Sequence, residues 1–205
     1  MARRRIIRRR VQGTARPVQQ VTQSVAQVGG VVPMTRESLG LRPDDDCKIL
    51  IVGSGAYCSF TIARLGRLGI SDGIGITAST NHAIWAVKHL NPQIVIASID
   101  FQQRSGGIDL LRKLEAVNSE ISVIVTSSAI DVNLDGRTLR DLGWAMSDRW
   151  SFVTRRKTDN GDPLGIAVVT ARQGVGWIDY PVRKQLEMWR VSNNVGTKGS
   201  VAVAA

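Results

Sequence analysis

Two glycines and a serine stand between the first predicted strand and the helix that follows it. The run Gly53-Ser54-Gly55 follows an apolar segment and begins the pattern of a dinucleotide-binding turn, in which glycines let backbone amides approach a pyrophosphate. The third glycine of that pattern falls on Cys58, and the acidic residue expected at the end of the second strand is missing. A tight strand-to-helix turn is therefore the favoured interpretation, and a nucleotide-binding enzyme is the least favoured function.

The other nucleophilic and metal-binding side chains form no recognisable set. His82 and His89 lie seven residues apart on one predicted helix, with no third ligand in view. Ser98 and Ser127 lack His and Asp partners whose spacing would predict a hydrolase. We therefore expect no catalytic residues, no metal and no cofactor, and a protein that is not an enzyme.

The cysteines and the hydropathy bear on location. Cys47 and Cys58 show no metal-ligand spacing, and their use fits a reducing compartment. No run reaches the ~18 apolar residues that a membrane span needs. These features predict a cytoplasmic protein without a membrane span.

Apolar runs alternate with helical patterns from Cys47 onward. Strands are predicted at residues 48–52, 74–77, 94–97, 123–125 and 152–154. Helices are predicted at residues 57–68, 80–90, 136–146 and 163–173, with one more that carries Ile108, Leu110, Leu111 and Leu114. Continuous apolar strands in this order predict a parallel sheet with helices on both faces.

Three segments carry a resemblance to a known family. PQIVIASID, GGIDLLRKL and ISVIVTSS resemble the third strand, third helix and fourth strand of bacterial response-regulator receiver domains. The resemblance covers residues 47–190 and implies a three-layer α/β/α fold of the flavodoxin-like type. That fold has a five-stranded parallel sheet, here followed by a C-terminal extra helix.

The resemblance also implies a phosphorylation site, and most of its positions have changed. The acidic pair that holds Mg²⁺ falls on Gly53 and Ser54, the acceptor Asp on Ser98, and the Lys on Arg155. The hydroxyl remains, as Ser127, with Thr126 and Ser128 beside it. Mg²⁺ needs oxygen ligands such as carboxylates, so this degenerate site predicts a pseudo-receiver that is not phosphorylated.

Two features near this site leave alternatives open. Asp100 lies two residues past Ser98, so it is either a shifted acceptor or a solvated loop aspartate. Arg155, Arg156 and Lys157 follow the fifth strand and form either a site for an anion or acidic partner, or a solvated run of charge. The predicted function is regulatory contact with a protein partner in a signalling or transcription assembly, with a homodimer as one arrangement.

The positive charge is concentrated at the amino end. Of the formal net charge of +10, +8 belongs to residues 1–36, which leaves +2 for the rest. Residues 1–46 are predicted to be a flexible arm, whose arginines are candidates for non-specific nucleic-acid binding. The six that lie closest to the start are Arg3, Arg4, Arg5, Arg8, Arg9 and Arg10. A nucleic-acid-associated protein is therefore the rival function.

The carboxyl end predicts one more helix and a tail. Pro181 is suited to a first helical turn, and Val182, Leu186 and Trp189 then share one face. We assign residues 47–176 to the receiver-like domain, 177–190 to this helix and 191–205 to a disordered tail. The helix is expected to pack on the domain or on a second copy, and the output to be something other than sequence-specific DNA binding.

Overall fold

The computed structural model describes residues 35–41, 46–99, 106–127, 149–154 and 162–193. Its strands form one parallel sheet in the order β2-β1-β3-β4-β5. The strands are β1 (Ile49–Val52), β2 (Ile74–Thr77), β3 (Ile94–Ser98), β4 (Ser122–Thr126) and β5 (Trp150–Val153). The five strands are thus the ones that the apolar runs predicted.

Helices cover both faces of the sheet. They are α1 (Gly55–Arg67), α2 (Thr80–Leu90), α3 (Gly106–Glu115), α4 (Pro163–Arg172) and α5 (Tyr180–Ser192). Side chains of α1 and α4 pack on one face, and those of α2, α3 and α5 pack on the other. This three-layer α/β/α arrangement with an additional C-terminal helix confirms the predicted fold class.

The central strands are buried on both faces. Leu50 and Ile51 are adjacent in β1 and are both fully buried, although they contribute to opposite cores. Successive strand residues point to opposite sides of a sheet, so a continuous apolar run is what a strand covered by helices requires. This is why the apolar segments located the strands well.

Several predicted boundaries were wrong. The helix predicted at 57–68 begins at Gly55, because Ser54 already caps it by accepting the Tyr57 N–H at 3.3 Å. The strand predicted at 152–154 begins at Trp150, because Ser151 is buried in it with its hydroxyl accepting the Trp177 N–H at 2.9 Å. The helix predicted at 136–146 lies outside the described residues.

Residues 35–41, which the sequence assigned to the arm, pack against the domain. A 3₁₀ helix, Glu37–Leu39, is closed by Gly40 in a left-handed conformation. Leu39 is fully buried and Leu41 is 5% exposed, and both belong to the core that contains Leu50. The packed part of the chain therefore begins before Cys47, because these two leucines complete one face of the core.

The C-terminal helix α5 packs on the domain, as one of the two expected arrangements. Val182 and Leu186 are buried in the same core as Phe152, whereas Trp189 is only half-buried. The segment before the helix adds a parallel bridge to β5, between Phe152 and Ile178. This bridge covers part of the edge of β5. None of the helices within the described ranges is both long and apolar enough to cross a membrane.

A salt bridge joins α1 and α4, the two helices that pack on the same face of the sheet. Arg64 of α1 donates through both Nη2 and Nε to the carboxylate of Asp162, the residue that caps α4. Partial burial opposes ionisation of Asp162, but the hydrogen bonds from Arg64 and from the Leu164 N–H outweigh it and lower the pKa of the carboxyl. The Arg64 side chain is 9% exposed, so the charge of Asp162 compensates a nearly buried cation.

Changing Asp162→Asn should therefore destabilise the protein in a pH-dependent way. Asn still caps a helix, so the loss of about 1–3 kcal/mol near neutral pH reports the missing charge. Because the folded-state pKa is lowered, the difference from wild type should shrink as the pH falls below about 4. Urea unfolding at several pH values measures it. Asp109→Asn, in an exposed pair with Arg112 at 3.8 Å, is the control and should change stability by less than about 0.5 kcal/mol.

Two truncations test where the packed domain begins. Deleting residues 1–34 should leave the free energy of unfolding nearly unchanged. Deleting residues 1–41 should lower it by at least about 2 kcal/mol, because Leu39 and Leu41 leave the core. Equal stability of the two truncated proteins in urea would show that residues 35–41 contribute nothing to folding.

Candidate functional site at the carboxyl edge of the sheet

The parallel register brings the predicted site positions to one edge of the sheet. Val52 pairs with Ala97, and Ser98 pairs with Thr126. Gly53 directly follows β1 and is buried, whereas Ser98 is the half-buried last residue of β3. Ser127 follows β4, is 8% exposed, and donates its N–H to the Val153 carbonyl at 3.0 Å. Gly53, Ser98 and Ser127 therefore meet at the carboxyl edge, while Ser54 is exposed and caps α1.

Other predicted site residues lie outside the described ranges. They are the shifted acceptor candidate Asp100, the anion or partner face Arg155, Arg156 and Lys157, and the arm residues Arg3, Arg4, Arg5, Arg8, Arg9 and Arg10. Their roles stay predictions.

Tyr57 contacts two separate parts of this edge, the end of β1 and the end of β4. The sequence analysis gave it no role. Its hydroxyl and the Thr126 hydroxyl share a hydrogen bond of 2.6 Å. Its ring packs directly on Gly53. Because β3 lies between β1 and β4, the Tyr57 side chain spans the end of β3, where Ser98 stands.

Gly53 is required by this close approach. A Cβ at position 53 would overlap the Tyr57 ring, so no side chain fits there while the ring keeps its place. A carboxylate at position 53, the first of the acidic pair in the resemblance, is therefore incompatible with the observed position of Tyr57.

Helix α3 closes the edge beside Ser98. A side chain at Gly107 would overlap the Ser98 carbonyl oxygen, and the Gly107 N–H donates to the Ile99 carbonyl at 3.1 Å. The first turn of α3 thus lies against the end of β3.

A buried carboxylate stands at the end of β5. Thr154 donates its hydroxyl hydrogen bond to Oδ2 of Asp179, which is 2% exposed. The Asp179 carbonyl accepts from the N–H groups of Val182 and Arg183 in the first turn of α5. Asp179 therefore connects β5 to the start of α5.

Burial keeps the Tyr57 phenol and the Cys58 thiol in their neutral forms. It raises the pKa of Tyr57 to about 12, partly offset by the hydrogen bond to Thr126. It also raises the pKa of the Cys58 thiol to about 11, whose sulfur donates to the Gly53 carbonyl at 3.5 Å. Cys47 is likewise buried and free, with a pKa of about 11. Neither thiol is therefore a reactive thiolate near neutral pH.

In the part of the chain that the structure describes, no three His, Cys, Asp or Glu side chains are grouped as a metal site would require. His82 is half-buried, and the ring of His89 stacks on Trp85 with a centroid separation of 5.1 Å. The described edge thus offers hydroxyls, a phenol, backbone amides and the single buried carboxylate of Asp179, which Thr154 already engages. These groups can form hydrogen bonds, but they do not supply the several carboxylate oxygens that a Mg²⁺ site prefers.

This chain is similar to known proteins in its three-dimensional structure. No protein-family model matches the sequence, and no curated protein matches it either. A LuxR-family two-component response regulator from an Aurantimonas species is 16% identical, with 70% of this chain and 96% of that chain covered and a TM-score of 0.53. The isolated receiver domain of RcsB from Salmonella enterica serovar Typhimurium, in the presence of phosphomimetic BeF₃⁻, is also 16% identical. The match covers 68% of this chain and 98% of that chain, with a TM-score of 0.50.

The fold is that of a receiver domain. At these identities the similarity concerns the fold alone. Tyr57, Thr154 and Asp179 are the residues that sequence reasoning missed, whereas Thr126 was noted as a neighbour of Ser127. The only signal for Tyr57 was an aromatic residue in the first turn after Gly53-Ser54-Gly55, and this gives no direction for its ring.

A double-mutant cycle tests the contact between Gly53 and Tyr57. Gly53→Ala alone should cost about 1–3 kcal/mol, because the added methyl displaces the ring and its hydrogen bond to Thr126. In a Tyr57→Ala background the same change should cost much less, since the ring is gone. Gly55→Ala, where an added Cβ meets nothing within 4 Å, is the control and should be nearly neutral. Additive effects of the two substitutions would show that the ring does not lie on Gly53.

Proposed function

We propose that this protein is a pseudo-receiver, a regulatory module that acts through protein contacts and does not use phosphorylation. Its setting is a cytoplasmic signalling or transcription assembly. The receiver fold supports the first part of this proposal, and the residue types at the carboxyl edge support the second. In this proposal the protein is not an enzyme and uses no cofactor.

The observation that carries the proposal is the packing of Tyr57 over the end of the sheet. Phosphoryl transfer to a carboxylate needs a metal ion beside the acceptor, held by oxygen ligands. Here Gly53 and Ser98 stand at the corresponding ends of β1 and β3, and the Tyr57 ring lies on Gly53. An apolar ring stands where charged ligands would have to converge.

The same packing favours a constant arrangement of this edge. The Tyr57 ring lies on Gly53, which follows β1, and its hydroxyl is hydrogen-bonded to Thr126 at the end of β4. One side chain therefore connects the ends of the two strands on either side of β3. A module held in one arrangement can present a fixed surface to a partner. Its regulation would then come from the presence or absence of the partner.

Small phosphodonors should leave the protein unmodified. We expect the intact mass to stay unchanged after incubation with acetyl phosphate and Mg²⁺, because the described edge supplies neither a metal site nor an acceptor. A receiver domain that keeps its carboxylates is the positive control. An acid-stable, base-labile adduct with the mass of one phosphoryl group would contradict the proposal, and its loss in Asp100→Asn would identify Asp100 as the acceptor.

A second candidate function is association with nucleic acid through the arm. The observation that favours it is the run of seven Arg within the first 16 residues, with no Asp or Glu before Glu37. Such a segment can neutralise several phosphates and release their counterions, which gives affinity without sequence preference. The receiver-fold domain would then serve as a platform.

Deleting residues 1–34 should remove duplex-DNA binding if the arm carries it. In filter binding the intact protein should lose roughly tenfold or more in affinity between low and physiological salt. A protein with Arg155, Arg156 and Lys157 changed to Gln is the control and should bind as wild type does. If the deletion leaves the affinity unchanged, the arm is not the binding site.

A further inference from the structure

An apolar groove runs between the end of α1 and the outer face of α4. It has a volume of about 480 Å³, and its floor includes Leu68, Ile70, Ile166 and Val169. Leu68 is 38% exposed and Val169 is 57% exposed, and Gly165 contributes no side chain that would fill the space. The groove can therefore accept a few aliphatic side chains from outside the molecule.

The rim of this groove is positively charged. Arg172 lines it, and the exposed Arg67 is the last residue of α1 and directly precedes Leu68, another lining residue. The carboxylate of Asp162 is already engaged by Arg64. Among the described residues no salt bridge neutralises Arg67 or Arg172. The groove thus presents an apolar floor beside two exposed cations.

The charges argue against either terminal segment of this chain as the occupant. Residues 1–34 carry seven Arg and no acid, and residues 194–205 carry Lys198 and no acid. Either terminal segment would bring further positive charge to Arg67 and Arg172. A symmetric pair of copies meeting through this groove would place the same arginines of both copies at one interface, and like charges disfavour such a contact.

We propose that this groove docks an acidic amphipathic helix of a partner protein. Apolar side chains of the partner, spaced by three or four residues, would enter between Leu68 and Val169, and flanking carboxylates would pair with Arg67 and Arg172. This inference deepens the proposed function, because it names the partner class through which the pseudo-receiver would act.

A peptide titration tests the docking directly. The probe is a synthetic helix with Leu at every third or fourth position and Glu on both flanks, added to the full-length protein and followed by NMR. We expect the largest chemical-shift changes at Leu68, Ile70, Ile166 and Val169. The same peptide with Lys in place of Glu should bind at least about tenfold more weakly, the effect of roughly 1.4 kcal/mol.

Charge reversal makes the test specific. The double variant Arg67→Glu/Arg172→Glu should lose affinity for the Glu peptide and gain it for the Lys peptide, with the core resonances unchanged. Val191→Glu on α5, which alters a residue that is 79% exposed, is the matched control and should bind as wild type does.

Four results would overturn the docking proposal. Three of them come from the titration: equal binding of both peptides, chemical-shift changes only at residues away from the groove, and no chemical-shift changes at millimolar peptide. The fourth is a sedimentation result in which the wild-type protein is a dimer and the Val169→Glu variant is a monomer. The last result would assign the groove to a second copy. Each of them leaves the phosphodonor measurement unaffected, because that measurement reads the carboxyl edge of the sheet, so the two proposals can fail separately.

Discussion

Five parallel strands in register must end at one edge of the sheet, and this constraint decides which side chains meet there. Gly53 after β1, Ser98 at the end of β3 and Thr126 at the end of β4 are neighbours because of the pairing of these strands. The edge is supported on both faces by two separate cores. Little at this edge can move without disturbing buried strands, since protein interiors are close-packed.

The position of Tyr57 depends on this constraint at two points, its ring and its hydroxyl. Its ring needs Gly53 beneath it, and its hydroxyl needs Thr126 two strands away. Burial of the phenol is favourable only with a hydrogen-bond partner, since an unsatisfied buried hydroxyl costs about 1–3 kcal/mol. The glycine, the tyrosine and the threonine therefore form one interdependent unit, and a carboxylate at position 53 would break it. Under the proposed function, the receiver fold would be kept without its phosphorylation chemistry.

Much of the fold could be predicted because burial on both faces leaves a simple signal in the sequence. Continuous apolar runs located β1 to β4 to within one residue at each end, whereas β5 was missed at its start because the buried Ser151 interrupts the pattern. Leu39 and Leu41 were assigned to the arm, because two leucines in a polar segment do not reveal the core that they complete. Long-range contacts had no local signal either: Arg64 and Asp162 are 98 positions apart. The site positions Gly53 and Ser98 followed from the resemblance, but the direction of the Tyr57 ring depends on its tertiary surroundings.

In the proposed pseudo-receiver, the Tyr57 side chain occupies the place where a receiver would bind its metal ion. Paramagnetic Mn²⁺, which accepts the same oxygen ligands as Mg²⁺, tests it most directly when it is added to the isotope-labelled full-length protein. We expect no site-specific line broadening at the amides of Gly53, Ser98 and Ser127, either in wild type or in Tyr57→Phe, which keeps the ring. Selective broadening at these three amides in the wild-type protein, at Mn²⁺ concentrations that leave the groove of α1 and α4 unaffected, would contradict it.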